Sequence, residues 1–573
     1  MSENKREQGY TGADAFNDAL VRAGVSHVFI NSGTDYPPII ESWAKCDSLG
    51  LKKPKIIISP HEYAAMSAAQ GYAQLTGEPQ AVFVHVDVGT QNIGGAIHNA
   101  FRCRMPVFVF AGLSPYTMEC ELPGGRNAPI QFWQNIDDQA AIVRQYTKMS
   151  YEFRSGKNIQ QMTTRAIQIA RSEPRGPVYL MATREVLEEE GRDVGADMSL
   201  YREIAPSALS AESVEAVCEA LLAAEHPLII TSYVGRNEAG VSELVKFAES
   251  CAIPVVETQR ACVNFPATNS LHLGYDSHTV IDEADMILVL DSDLPWIPAH
   301  KKPAEGCRVF VIDTDPLNED IPLWYIGAEL FARADSFTAL KQLNAALETG
   351  ERYKTAKNLD YRRQKIAVMH MAMRQVWRAE EEQRDEITPQ FLSACIRELI
   401  DDDTIVLNEA ISDHETVEKH IPRSKPGTLF FSGGSSLGWF GGAAVGMKLA
   451  RPDRNIVAVT GDGTYIFSCP TAVYWMAKKY ETPFLTVIYN NSGWKAPKNI
   501  TIGEHPDGFA AGNNSFYTSF DPPAGLDMVA AAAGGAFAKT VSDPKTLKSA
   551  LREGMDAVKG GRCAVINVML PKV

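Results

Sequence analysis

No apolar run in the 573 residues approaches the length that spans a bilayer, so nothing predicts a membrane helix. Positive charge is in deficit: 55 Lys and Arg stand against 70 Asp and Glu, a formal balance of −15. That balance disfavours nucleic acid and anionic membranes as partners, and leaves room only for a local basic pocket. The ten cysteines form no Cys-x-x-Cys pair and no Cys/His cluster at zinc spacing. They read as small buried hydrophobes in a reducing compartment, with the cytoplasm as default location. Met1-Ser2-Glu3-Asn4-Lys5-Arg6-Glu7 lacks the apolar core of a signal peptide, and Pro571-Lys572-Val573 is no obvious address tag. No Gly-x-Gly-x-x-Gly follows a strand, which makes a nucleotide-binding dehydrogenase a distant reading. Short internal repeats and low-complexity tracts are also missing.

What the chain does have is alternation. Apolar strand-like runs alternate with helical stretches throughout, the pattern of α/β domains with mostly parallel sheets. A length of 573 residues calls for two to four such domains. The first block, residues 8–185, has strands expected at Ser26–Ile30, Ile56–Ile58, Ala81–Val86, Val107–Ala111 and Val178–Ala182. The charged run Glu185–Arg192 then reads either as a linker or as a short surface helix. A central block, 205–345, has strands at Leu228–Thr231, Val255–Glu257, Met286–Asp291 and Val309–Asp313. A charged helical stretch, 352–384, separates it from a third block, 386–573.

Chemistry concentrates in the third block. Ile456–Thr460 reads as a buried strand followed by the turn Gly461-Asp462-Gly463, a helix near Thr471–Tyr480, and a second apolar run, Phe484–Tyr489, ending in Asn490-Asn491. In a strand–helix–strand unit both strand ends fall on one edge of a parallel sheet, where ligands of such sheets bind. A carboxylate and an amide oxygen there suit Mg²⁺ on a diphosphate, and the glycines admit a close phosphate. A bare Gly-Asp-Gly is usually just a turn. Its connection to Asn-Asn through one such unit is much rarer.

Gly461-Asp462-Gly463 through Asn490-Asn491 resembles the thiamine-diphosphate (ThDP) motif of the family that includes acetolactate synthase, pyruvate decarboxylase and benzoylformate decarboxylase. Gly434-Ser435-Ser436-Leu437-Gly438-Trp439 and Ala450-Arg451-Pro452-Asp453 are similar to that family's approach to the motif. The stretch from Asp462 to Asn491 is slightly longer than usual, which leaves open whether Asn490 or Asn491 ligates the metal. The resemblance spans nearly the whole chain and implies pyrimidine-binding, central and diphosphate-binding domains.

Residue by residue, it implies the following roles. Asp462, Asn491 and the Gly493 carbonyl would hold Mg²⁺, with Gly461 and Gly463 flanking the diphosphate. Asn408 and Glu409, in the loop after a strand at Thr404–Leu407, would contact that diphosphate through main-chain amides. Leu437 would lie beneath the bent cofactor, with the Gly434 and Ser435 carbonyls facing its aminopyrimidine. Glu62, in Pro60-His61-Glu62-Tyr63, would share a proton with the pyrimidine, although alone it reads as a carboxylate at a helix N-terminus.

In Val84-His85-Val86-Asp87-Val88-Gly89-Thr90-Gln91-Asn92 a strand ends and Gly89-Thr90-Gln91-Asn92 turns into a helix at Ala96-Ile97-His98. His85 there is similar to benzoylformate decarboxylase; acetolactate synthases usually carry a non-ionisable run at this place. A histidine there can pass protons near neutral pH. Thr34 and Asp35 follow the first strand where family members contact substrate, though Asp35 could equally cap a helix. Gln134 resembles a family glutamine near the active site. His61 and His98 read as structural. Asp291-Ser292-Asp293 could face the site or form a rigid loop.

The implied activity is C–C bond cleavage in a 2-oxo acid or related carbonyl compound, most simply decarboxylation through a C2 ylid and an enamine. The alternatives are an acetolactate-synthase-type carboligase and a non-catalytic ThDP-binding relative. FAD, which acetolactate synthases hold in their central domain, is not expected here. The resemblance also implies a homodimer or homotetramer whose active sites lie between subunits.

Overall fold

The structure, a computed structural model, describes residues 9–349, 359–382 and 385–572. Met1–Glu7, both ends of the expected 352–384 stretch, and the outer limits 8 and 573 lie outside them. Three parallel sheets are present, as the alternation predicts. The first contains β1 (His27–Ile30), β2 (Lys55–Ile58), β3 (Gln80–Val84), β4 (Val107–Gly112), β5 (Met149–Glu152) and β6 (Val178–Ala182) in the order β2-β1-β3-β4-β6-β5. The central sheet, β11-β10-β9-β7-β8, is built from β7 (Pro227–Thr231), β8 (Val255–Glu257), β9 (Met286–Leu290), β10 (Arg308–Asp313) and β11 (Leu330–Arg333). The third has the order β13-β12-β14-β15-β17-β16, from β12 (Ile405–Glu409), β13 (Leu429–Phe430), β14 (Ile456–Gly461), β15 (Leu485–Asn490), β16 (Phe537–Val541) and β17 (Ala564–Met569).

The first and third sheets share one topology. Each runs second-first-third-fourth-sixth-fifth, so each has a switch point between its first and third strands, where crevices open at the carboxyl ends. The helix after the second strand is Glu62–Thr76 in one domain, and Trp439–Ala450 takes that place in the other. These two helices pack on each other. His61 caps the first, its Nδ1 accepting from Tyr63 N at 3.1 Å, and Gly77 ends it in the left-handed region. Their contact faces are small. A Cβ on Gly446 would stand 1.9 Å from the Ala68 carbonyl oxygen, and one on Gly442 2.6 Å from that of Ala64.

Four local expectations need correction. Gly89-Thr90-Gln91-Asn92 is not a turn; strand β3 stops at Val84 and residues Val86–Asn92 are helical. Only the latter part of the run Glu185–Arg192 is an exposed connector; its start is not. Arg184–Glu188 forms a short helix whose first four residues are buried, because Glu185 accepts from Thr117 N and Oγ1 and Arg184 reaches Gly124 and Gly125. Asn408 and Glu409 belong to strand β12 rather than to a loop after it. Strand β9 ends at Leu290, since Asp291 turns into the left-handed region at φ 46°.

Asp291 and Asp293 serve the domain junction. Arg104 of the first domain binds Asp313 Oδ1 at 2.5 Å and Asp293 Oδ1 at 2.7 Å, while Arg236 contacts Asp291 at 3.4 Å and Glu173 at 3.1 Å. This cluster fills the carboxyl ends of β9 and β10. Among the described residues no helix is long and apolar enough to cross a membrane.

Candidate active site

The switch point of the first sheet gathers three of the expected residues. Asp35, on the loop after β1, sends Oδ1 to His85 Nδ1 at 2.6 Å and accepts from Gly112 N through Oδ2 at 3.1 Å. It caps no helix: the helix Pro37–Leu49 has Tyr36 at its N-cap, with no side-chain hydrogen bond. Gln134 Nε2 lies 2.9 Å from His85 Nε2. In the neutral ring, Nδ1 can donate to Asp35 while Nε2 accepts from Gln134. The loop must pass close, and a Cβ on Gly33 would fall 2.0 Å from His85 Nδ1. Next to His85, Val86 adopts φ 46°, a costly conformation for a β-branched residue. Burial opposes the imidazolium, but the hydrogen bond to Asp35 and its charge, helped by Asp87 and Glu62, outweigh it and raise the His85 pKa. Thr34 is exposed, and its carbonyl accepts from Arg184.

Glu62 opens its helix almost buried, 7% exposed. Asn92 Nδ2 donates to its Oε2 at 3.0 Å, and Oε1 faces Gly89, where a Cβ would stand 3.3 Å away. Asn92 reaches Glu62 because residues 86–92 are helical.

At the equivalent edge of the third sheet, Asp462 and Asn491 converge. Gly493 N donates to Asp462 Oδ2 at 2.9 Å and to Asn491 Oδ1 at 3.2 Å. Asn490 points elsewhere, with Nδ2 on Asn567 Oδ1 at 2.9 Å and Oδ1 accepting from Ser492 N at 3.0 Å. Burial raises the Asp462 pKa against the hydrogen bonds from Gly463 and Gly493, so a bound cation would offset an otherwise costly charge. Two hard oxygens this close fit Mg²⁺, which takes its remaining ligands from phosphates and water. The expected turn is the start of a short helix, Asp462–Phe467, and Trp494 lies against it: a Cβ on Gly463 would be 2.2 Å from its ring.

Family models agree with this layout. The N-terminal TPP binding domain of thiamine pyrophosphate enzymes matches residues 10–142, their central domain 214–337, and their C-terminal TPP binding domain 410–568. The chain belongs to the thiamine pyrophosphate enzymes. It is 26% identical to the acetolactate synthase large subunit of Lactococcus lactis over 81% of this chain and 78% of that protein. It is 25% identical to benzoylformate decarboxylase of Pseudomonas aeruginosa over 94% of this chain and 96% of the other. The solved 4-hydroxybenzoylformate decarboxylase of Rhodococcus jostii shares the fold with a TM-score of 0.78, covering 98% of this chain and 99% of its own at 20% identity.

In this thiamine pyrophosphate enzyme the remaining expected residues are placed less simply. Leu437 is half-buried, and its carbonyl accepts from Tyr63 OH at 2.6 Å. Ser435 is pinned by His98, whose Nε2 lies 3.0 Å from its Oγ. Of the two carbonyls expected to face an aminopyrimidine, that of Gly434 accepts from Ser432 Oγ at 2.9 Å. Asn408 and Glu409 turn their side chains into the protein: Asn408 bonds His414 O and Ala410 N. Glu409 accepts from the amides of Gly438, Trp439 and Phe440 at 2.8–3.1 Å, capping the helix Trp439–Ala450. Burial pushes its carboxyl up to about 8 against those three amides. Sequence reasoning also missed Tyr63, Asn92 and Arg184. Adjacency to Glu62 was the only available signal for Tyr63, and none marked Arg184.

Proposed function

We propose that the chain is a ThDP- and Mg²⁺-dependent decarboxylase of 2-oxo acids. Asp462, Asn491 and the Gly493 carbonyl hold the metal and Glu62 meets the pyrimidine. When bound, the cofactor supplies a thiazolium carbon that adds to a carbonyl and accepts the electron pair of the breaking C–C bond. Glu62 shares a proton with the pyrimidine in a nearly water-free setting. His85, steered by Asp35 and Gln134, gives or takes the proton at the substrate side. Leu437 supports the bent cofactor from below. The active assembly is a homodimer or homotetramer with sites shared between subunits.

The observation that carries this reading is the Asp35–His85–Gln134 chain, a titratable group hydrogen-bonded at both ring nitrogens beside the Glu62 wall. A carboligase reading is favoured by the likeness to acetolactate synthase. Loaded protein incubated with a panel of 2-oxo acids, with and without aldehyde acceptors, tests both. Release of simple aldehydes supports decarboxylation, and an adduct formed at the expense of aldehyde supports ligation. No consumption of any 2-oxo acid by loaded protein counts against both.

A further inference from the structure

The helix Leu359–Ala379, which leads from the central to the third domain, turns an uncharged side to solvent. It runs for 21 residues, about 30 Å at the α-helical rise. Ile366, His370 and Trp377 are buried and hold its inner side on the protein. Its positive side chains fold back beside them. Arg362 donates to Cys251 O at 3.1 Å and to Ala224 O at 2.8 Å, Arg363 donates to Glu249 O at 2.9 Å, and Arg374 lies over the Trp377 ring. Lys365 Nζ stands 3.7 Å from Glu283.

The outer side is apolar where a solvated helix would carry those charges. Tyr361, Val368 and Met371 are 71%, 60% and 61% exposed, and Gln364 and Gln375 are exposed along the same line. With Arg378 these residues follow one another at intervals of three, four, three, four and three, the spacing of a helix–helix seam. Single exposed apolar residues are ordinary, but a continuous stripe of them marks an interaction surface.

The order along the stripe identifies what covers it, because the stripe complements its own reverse. A second copy laid antiparallel, about a two-fold axis between Val368 and Met371, puts Met371 on Val368, Gln375 on Gln364 and Arg378 on Tyr361, each pair occurring twice. Apolar groups then meet apolar groups, amides meet amides, and a guanidinium meets an aromatic ring. The same guanidinium comes beside Asp360, whose side chain is 95% exposed at the start of the helix. A parallel alignment would instead set Arg378 on Arg378 and Asp360 on Asp360.

We propose that this face pairs antiparallel with the same helix of a second copy and so joins two shared-site dimers into a tetramer. The pairing follows from the helix alone; that its product is a tetramer rests on the shared sites proposed above.

Sedimentation of the full chain, loaded with ThDP and Mg²⁺, tests it on wild type, Val368→Glu, Met371→Lys and the double variant. Wild type should sediment as a tetramer. Either single substitution buries an unpaired charge twice in each contact and should weaken association by at least roughly a hundredfold, leaving dimers. In the double variant each introduced carboxylate lies opposite the other copy's introduced ammonium, so the tetramer should return. That return excludes a general loss of fold or solubility as the cause. Wild type that sediments at the same mass as Val368→Glu overturns the proposal and leaves the face to a different protein or a lipid surface. Dissociation in both single variants without recovery in the double variant overturns the antiparallel order, and the proposal with it. A fall from dimer to monomer in the single variants would keep the pairing and defeat the shared-site dimer beneath it.

Discussion

The Asp35 carboxylate and the His85 imidazole meet at 2.6 Å across the switch point of the first sheet, fifty positions apart in the chain. That hydrogen bond reverses the effect of burial on His85 and raises its pKa. Asp35→Asn removes the charge and leaves burial in control, so the His85 pKa should fall. The limb of the pH–rate profile governed by His85 should move to lower pH, and His85→Ala should abolish that limb. Imidazole titration by NMR checks the direction, and an unmoved pKa in Asp35→Asn would rule out the coupling.

Glu62→Gln is nearly isosteric but cannot share a proton. ThDP binding should persist while C2 proton exchange slows by roughly 10²–10⁴-fold, the usual worth of general acid–base help. Wild-type exchange in the variant would show that Glu62 serves only its helix and Asn92.

Asp462→Ala should cut Mg²⁺-dependent ThDP binding by at least about a hundredfold, since even indirect metal-site partners cost up to that. Asn490→Ala should spare binding far more than Asn491→Ala, because the Asn490 amide is spent on Asn567 and Ser492. Calorimetric titration with and without Mg²⁺ measures all three. Equal losses from the two asparagines would refute the assignment of Asn491.

Gly446→Ala improves helix propensity by roughly 1 kcal/mol on its own. Here the new Cβ would stand 1.9 Å from a main-chain oxygen that cannot rotate away. Overpacking should win, with a net loss of about 1–3 kcal/mol in urea denaturation. A stabilised variant would mean that the two helices are not locked together in solution.

Sites shared between subunits predict complementation. Inactive Glu62→Gln and Asp462→Ala subunits, mixed and allowed to exchange, should form heterodimers with one doubly damaged site and one intact site. Activity should then partly return. An active monomer, or no return of activity despite proven exchange, would count decisively against shared sites.

The sequence by itself determined features governed by short-range chemistry. Alternating apolar runs set the α/β class, because strand and helix periodicity are local. Asp462, Asn491 and Gly493 were legible because one strand–helix–strand unit brings its own two ends together. Glu62 was marked only by the family resemblance of its segment; locally it reads as a first-turn carboxylate, the position that the His61 cap gives it.

Only the tertiary structure decided which distant strand ends share a crevice. Asp35, Gly112, His85 and Gln134 are joined across 49 to 77 positions, and the order β2-β1-β3-β4 in the sheet, not local propensity, makes them neighbours. The same is true of Glu409, whose carboxyl caps a helix some thirty residues on, and of Asn92, turned toward Glu62 by a helix that its glycine-containing sequence disguised as a turn. Arg184 is the extreme case. An arginine at a strand end looks solvated in sequence, and only packing reveals that it is buried, with its guanidinium spent on the Gly124 and Gly125 carbonyls and Asn127.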